Sequence, residues 1–344
     1  MLLSICIPTF NRCVSLNKLL FDISNIDKEL KSKIQVCISN NFSDDDTEDV
    51  IESYKKKIHI KAKNQANNIG AYKNLLYVLN MAEGIWSLAI GDDDSLGEEF
   101  NELIRLIDNA NNDLVIINGT FEMHNQKKIF IDFFRSGPLT KINIQKKLLT
   151  NGLYPFGYIG NYTFPSIYFK NLKIIPKNWI QIYLLLKCLY KPDQKFYFLN
   201  KKIINFKNDG KLYWSAINRC KINLLKLNML IDLFDKKIKF SNKIFTFLLY
   251  LREILDINNF KNFLICKYFS KKKDFKNLIS SINKLNNFFL LNAFYRYLLM
   301  LTLFIPDKFI KKMIDLKNPN YINNYLKLID SEKNKDNEGY RRKI

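Results

Sequence analysis

The chain has 344 residues, 47% of them apolar and 14% aromatic, enough to bury a sizeable core and too hydrophobic for a disordered protein. Its two histidines, His59 and His124, lie far apart, and its six cysteines are scattered without a C-x-x-C pair. That pattern excludes the common zinc frameworks and a disulfide scaffold, and it suits a reducing compartment. The net charge of +21 is unevenly shared: residues 1–110 carry 12 basic and 17 acidic side chains (net −5), and residues 111–344 carry 42 and 16 (net +26). The later part therefore calls for an anionic partner, whether phospholipid, nucleic acid or a phosphorylated substrate.

In chain order, "LLSICIP" reads as an opening strand. It is too short to span a bilayer and has neither a basic leader nor a cleavage site. An amphipathic stretch through Leu16, Leu19, Leu20 and Ile23 follows, then a second strand "IQVCIS" and a helix "TEDVIESYKKK". "IHIKA" is a third strand; Gly70 opens a helix with Leu75, Leu76 and Leu79 on one face; "WSLAI" is a fourth strand. A helix through Phe100, Leu103, Ile104 and Ile107 leads to a fifth strand, "DLVIIN". Strands separated by helices of this length predict a mostly parallel sheet covered on both faces.

Four successive strand ends carry polar side chains: Pro8-Thr9-Phe10-Asn11-Arg12, Ser39-Asn40-Asn41, Asn67-Asn68-Ile69-Gly70 and Asp92-Asp93-Asp94. Ligands of open α/β sheets sit beyond the carboxyl ends of the strands, so this set predicts a binding crevice. Three adjacent carboxylates repel one another and resist desolvation, which requires something to neutralise them: water, lysines or a bound cation. Carboxylate oxygens are hard ligands suited to Mg²⁺ or Mn²⁺, and magnesium takes few protein carboxylates and fills its shell from water and substrate phosphates. A strand-end D-x-D thus suits a metal–diphosphate site.

These segments together resemble family 2 glycosyltransferases of the GT-A fold. "SICIPTFNR" is similar to the first strand and loop of that family, "ISNNFSDDDT" to its second strand end, "NNIGAYKN" to its N-x-G-x-x-x-N segment and "WSLAIGDDDSL" to its D-x-D strand, all in order over residues 3–96. The resemblance implies a nucleotide-sugar donor, expected to be UDP-linked, a divalent cation (Mn²⁺ or Mg²⁺) and inverting transfer of a sugar to an acceptor hydroxyl. Carried over residue by residue, it implies that Pro8, Thr9, Asn11 and Arg12 line the nucleotide pocket. Asn40 stands where the family often has an aspartate facing the base. Asn68, Gly70 and Asn74 shape the ribose side, Asp92 or Asp93 faces ribose or diphosphate, and Asp94 is the metal ligand.

The general base is where the chain departs from the family. No acidic residue lies between Asp132 and Asp193; Asp193 in "YKPDQKF" is at a plausible distance without the family's E-D motif, with Asp132, His124 and Asp209 behind it. "FGYIGNYTFPSIYF" followed by "NWIQIYLLL" resembles the abequosyltransferase-like branch that builds surface polysaccharides, implying Tyr158, Asn161, Trp179 and Gln181 near the acceptor.

The expected organisation is a GT-A domain over residues 1–215, a basic amphipathic helical region over 216–330 and a disordered tail over 331–344. Basic and apolar residues interleave in 216–330, which predicts attachment to an anionic membrane surface at the cytoplasmic face, near a lipid-linked or glycan acceptor. The stretch 286–306 holds Asn292 and Arg296 in its middle, so an interfacial or packed helix is expected over a membrane span. Nucleic-acid binding is the alternative for the basic region, but its charge is interleaved with long aliphatics and not with aromatic stacking platforms. A non-catalytic relative is the other alternative, and a nucleotidyltransferase is disfavoured because "IPTFNR" lacks a glycine-rich phosphate loop.

Overall fold

A computed structural model describes residues 1–111, 113–124, 127–130, 134–170, 179–208, 226, 229, 230, 233, 238–255, 305, 306 and 308–310. The strands in chain order are β1 (Leu3–Thr9), β2 (Ile34–Asn40), β3 (Ile60–Asn64), β4 (Trp86–Ala89), β5 (Ser95–Leu96), β6 (Leu114–His124), β7 (Lys127–Phe130), β8 (Gly137–Leu139), β9 (Tyr162–Pro165) and β10 (Lys195–Asn208). The helices are α1 (Cys13–Ser24), α2 (Lys28–Lys31), α3 (Thr47–Tyr54), α4 (Ala71–Asn80), α5 (Phe100–Asp108), α6 (Lys141–Asn151), α7 (Ile167–Lys170), α8 (Ile180–Tyr190) and α9 (Phe240–Leu255).

The strands form one sheet in the order β3-β2-β1-β4-β9-β6-β10-β5, with β7 added to β6 and β8 to β10. β1, β2, β3 and β4 run parallel, in a register that sets Thr9 beside Asn40 and Cys6 beside Ala89. β1 and β2 are buried along nearly their whole length, as expected of parallel strands covered on both faces. The covering helices present the predicted stripes: Leu16, Leu19, Leu20 and Ile23 of α1 and Phe100, Leu103, Ile104 and Ile107 of α5 are buried. Their i, i+3, i+4, i+7 spacing is what lets one face of a 3.6-residue helix meet the sheet.

The sheet is mostly parallel, with antiparallel strands that the periodicity did not distinguish. β9 inserts antiparallel between β4 and β6, so β6 regains the direction of β4, and β10 runs parallel to β6. The "KFYFLNKKIINF" segment, which could be read as a pair of short strands, is one long strand, β10, with a register break between Leu199 and Ile204. The break lets a single strand bend along the sheet without a turn.

The chain divides into two compact units, residues 1–209 with 236–245 and residues 210–235 with 246–344. Most of the expected 216–330 helical region, the stretch 286–304 and the tail 331–344 lie outside the described residues. In the second unit, Lys226 meets Glu253 at 3.0 Å, both nearly fully buried, and Arg252 adds a second cation to Glu253 at 3.1 Å. Among the described residues no helix is long and apolar enough to cross a membrane.

A buried polar knot closes the amino edge of the sheet. Ser4 Oγ donates to Gln35 Oε1 at 2.9 Å and accepts the Gly84 and Glu83 N–H groups at 2.9 and 3.2 Å. Ser4→Ala removes the acceptor for the buried Gly84 N–H, and an orphaned buried donor costs about 1–3 kcal/mol. Urea unfolding of Ser4→Ala should show a loss of about 2 kcal/mol in stability with an unchanged dependence on denaturant.

Candidate active site

The carboxyl ends of β1, β2 and β4 lie side by side, and the functional side chains sit there. After β4 the chain turns at Gly91–Asp94: the Asp94 N–H donates to the Gly91 carbonyl at 3.2 Å, and the Gly91 N–H donates to Asp94 Oδ2 at 2.9 Å. A Cβ on Gly91 would lie 2.6 Å from Asp94 Oδ2, so only glycine lets the carboxylate fold back onto its own turn.

Each of the three carboxylates meets a donor from within the chain. Asp92, buried, accepts from Thr9 Oγ1 at 2.8 Å and faces Arg12 Nη1 at 3.6 Å. Arg12 also pairs directly with Asp93. Asp94, equally buried, accepts at Oδ2 from the Tyr158 hydroxyl at 2.5 Å. Burial drives the Asp92 carboxyl up to about 6, against the opposing pull of Arg12 and Thr9. Burial, reinforced by the Asp94 charge, drives the Tyr158 phenol well above its ordinary value, so Tyr158 is a donor to Asp94 throughout the physiological range.

The ends of β2 and β3 form an amide network. Asn74, on α4, donates to the Ser39 carbonyl at 2.8 Å and accepts from Ser39 Oγ at 2.6 Å. It is buried and holds the ends of β1 and β2 together from below. Asn40 Oδ1 accepts the Ser43 N–H at 3.1 Å and its amide donates to Asn64 Oδ1 at 3.1 Å. Asn68 Oδ1 takes the Gly70 N–H and the Asn41 amide, each at 2.9 Å, which fixes the left-handed Gly70 (φ 85°) at the start of α4. Asn11, also left-handed at φ 52°, ties the β1 loop to the β2 loop through Ser43 and Asp44. Pro8, half-buried, ends β1 beside Ser39. Ser39, Asn41 and Asp45 were not singled out from the sequence as site residues, although each stands inside a motif that was.

On the far side of the turn, Tyr158 and Gln181 are brought toward the carboxylates. Gln181, in the first turn of α8, donates to the Gly157 carbonyl next to Tyr158. Trp179, with φ 63°, starts that helix. Asn161 is fully buried and donates to the Pro155 carbonyl at 3.1 Å, so it helps to build the loop. Asp193 is not brought to the site. It is exposed in the turn before β10, whose first residue pairs with Leu114 at the start of β6. That is the amino edge of the sheet, opposite the edge that carries Asp92–Asp94. Sequence separation placed Asp193 plausibly, and the strand direction removes it. Asp132 and Asp209 lie outside the described residues, as does the side chain of His124.

Among the described residues no three His, Cys, Asp or Glu side chains gather as a protein cage for a metal. The donor set, Asp94 backed by Asp92 at a strand end, instead fits a hard cation that takes one or two carboxylates and completes its shell from water and phosphate.

Asp45 links this edge to α1. It accepts the Cys13 N–H at 2.9 Å, the Thr47 N–H at 3.2 Å and the Thr47 hydroxyl. Partial burial pushes its carboxyl up, and the Thr47 and Cys13 donors outweigh that and hold it below the usual range. A depressed carboxyl adds stability above the unfolded-state value, near 3.9, and loses it as pH falls through the folded value. Asp45→Asn keeps the shape and one acceptor, and should cost about 1 kcal/mol at pH 7, allowing for solvent screening. Thermal unfolding of both proteins from pH 7 to pH 3 should show that gap closing below about pH 4.

Residues 4–161 match the family model described as glycosyl transferase family 2. Abequosyltransferase RfbV of Salmonella typhimurium is 36% identical over 101 residues, which are 29% of this chain and 30% of that protein. The match therefore spans about a third of the curated relative. Among solved structures, S. aureus TarS 1-349 in complex with UDP-GlcNAc superposes with a TM-score of 0.64 at 16% identity, covering 83% of this chain and 80% of that one. Mannosyltransferase PcManGT from Pyrobaculum calidifontis, in complex with GDP-Man and Mn²⁺, superposes with a TM-score of 0.53 at 9% identity, covering 87% and 86%. Residues 4–161, with their strand order and strand-end motifs, are thus a domain of the glycosyl transferase family 2 type, on the GT-A fold.

Proposed function

We propose that the protein transfers a sugar from a nucleoside-diphosphate donor to a lipid-linked or glycan acceptor in surface polysaccharide synthesis, with inversion at the sugar carbon. The observation that carries this reading is the grouping of Asp92, Asp93 and Asp94 with Thr9 and Arg12 at the carboxyl edge of the sheet. The UDP-GlcNAc and GDP-Man complexes of structures with the same fold support a nucleotide-sugar donor, and the abequosyltransferase match supports a sugar acceptor.

Asp94 would hold a Mn²⁺ or Mg²⁺ ion, with Asp92 beside it. When bound, that ion stabilises negative charge developing on the diphosphate leaving group. Thr9 and Arg12 bind at the nucleotide side, and Arg12, already paired to two carboxylates, is positioned to pass its charge to a phosphate once a cation replaces it. Asn40 offers an amide to the base in place of a carboxylate, so the base is recognised by hydrogen bonding without charge. Attack by the acceptor hydroxyl needs a base to take its proton, and Asp193 is at the wrong edge for that role. A non-catalytic relative is the second reading, favoured by the missing E-D motif.

Calorimetry should show UDP or GDP binding that depends on Mn²⁺ and is lost, by at least about a hundredfold, in Asp94→Ala, whereas Asp193→Asn binds and turns over within twofold of wild type. A panel of sugar nucleotides should release free nucleoside diphosphate on adding acceptor. Binding without any release would favour the non-catalytic reading, and no metal-dependent binding would refute both.

The excess of 26 positive charges over residues 111–344 supports peripheral attachment to an anionic cytoplasmic membrane face, where a lipid-linked acceptor would be found. Sedimentation with phosphatidylglycerol vesicles should be strong at low salt, weak in 0.5 M NaCl and absent with phosphatidylcholine alone. Equal sedimentation with both lipids would refute it.

A further inference from the structure

Tyr158 belongs to the loop before β9, not to the motif that holds the carboxylates, yet its hydroxyl donates to Asp94 Oδ2 at 2.5 Å. The same oxygen accepts the Gly91 N–H at 2.9 Å. One oxygen of the carboxylate therefore carries two donors, one from its own turn and one from 64 residues away in the chain. We propose that Tyr158 is a positioning residue for Asp94, fixing the carboxylate's rotation so that its cation-binding geometry is set before donor arrives. The proposal rests on the donor-site reading above and assigns to Tyr158 a role at the metal ligand in place of the expected contact with acceptor.

Three features hold the phenol where it can do this. Its ring packs on Phe206 of β10, with centroids 4.4 Å apart. Beneath it, Gly160 leaves room that no other residue would: a Cβ there would lie 2.5 Å from Tyr158 Cε1 and 2.8 Å from Ile204 Cδ1. The Gly160 carbonyl is in turn gripped by the buried Asn118 amide of β6 at 2.9 Å. β6 and β10 thus brace one hydroxyl, which points at one carboxylate oxygen. A tyrosine needed only to fill this core could be a phenylalanine, since burying a phenol without use for its hydroxyl costs free energy. The loop also carries Gly157, whose carbonyl receives the Gln181 amide of α8.

Groups that orient a metal ligand typically change metal affinity 10- to 100-fold when removed. Tyr158→Phe keeps the ring and deletes the hydroxyl. In Mn²⁺ titrations followed by electron paramagnetic resonance, with saturating UDP or GDP, its Mn²⁺ Kd should rise at least about tenfold. Its thermal unfolding midpoint should stay close to that of wild type while the Mn²⁺ Kd moves, a split that loss of packing would not produce. A Mn²⁺ Kd within twofold of wild type overturns the positioning role while leaving the donor site intact. If wild type itself shows no metal-dependent nucleotide binding, the donor-site reading fails and this one with it. Should the Phe variant not fold, Gly160→Ala, which keeps the hydroxyl and displaces the ring, carries the test with the same outcomes.

Discussion

Three consecutive carboxylates at the end of a buried strand are the constraint around which this edge of the molecule is arranged. Asp92 and Asp94 are largely withdrawn from water, and an unpaired buried carboxylate costs several kcal/mol. The chain meets that cost with a guanidinium, two hydroxyls and a main-chain N–H drawn from three separate segments. For Asp92 burial outweighs the donors, and its carboxyl sits near 6. A buried carboxyl raised in this way at a strand end, beside two others, marks a functional-site candidate.

The same logic explains the amides at the neighbouring strand ends. Asn40, Asn41, Asn64, Asn68 and Asn74 satisfy one another and the adjoining backbone, building a rigid floor without adding charge beside Asp92. An aspartate at position 40 would have brought another anion toward the crevice, whereas an amide both donates and accepts. The rigidity is collective, since each asparagine fixes a loop through its neighbour and none spans the crevice alone.

Much of this was legible in the sequence, for physical reasons. The apolar stripes of α1 and α5 obey helical spacing, the continuous apolar runs of β1 and β2 mark doubly covered strands, and a polar cluster after each strand marks a carboxyl edge. What depends on strand direction was not legible. Nothing in "KFYFLNKKIINF" says that this segment runs parallel to β6, and that direction decides which edge the turn before β10 occupies. It sets Asp193 at the amino edge. The link between Tyr158 and Asp94 leaves no trace in local periodicity, because a contact across 64 residues is set by tertiary packing on Gly160 and Phe206.

Backbone strain offers a pointer to the site that is independent of charge. Among the described residues, the non-glycine positions with positive φ are Asn11, Phe42 and Trp179. A bulky residue in that region costs on the order of 1 kcal/mol or more and persists only where surrounding contacts over-determine it. Asn11 and Phe42 follow the ends of β1 and β2 in loops tied to each other through Ser43 and Asp44, and Trp179 starts α8 two residues before the Gln181 link to Gly157. Phe42 is more than half exposed, so its strain is not repaid by burial in the ligand-free chain. All three strained positions adjoin the loops that surround Asp92–Asp94, and none lies in the well-packed body of the sheet. Carboxylates held against repulsion and backbone held against its preference coincide at one edge, as expected where a fold has given up local stability to preorganise a binding site.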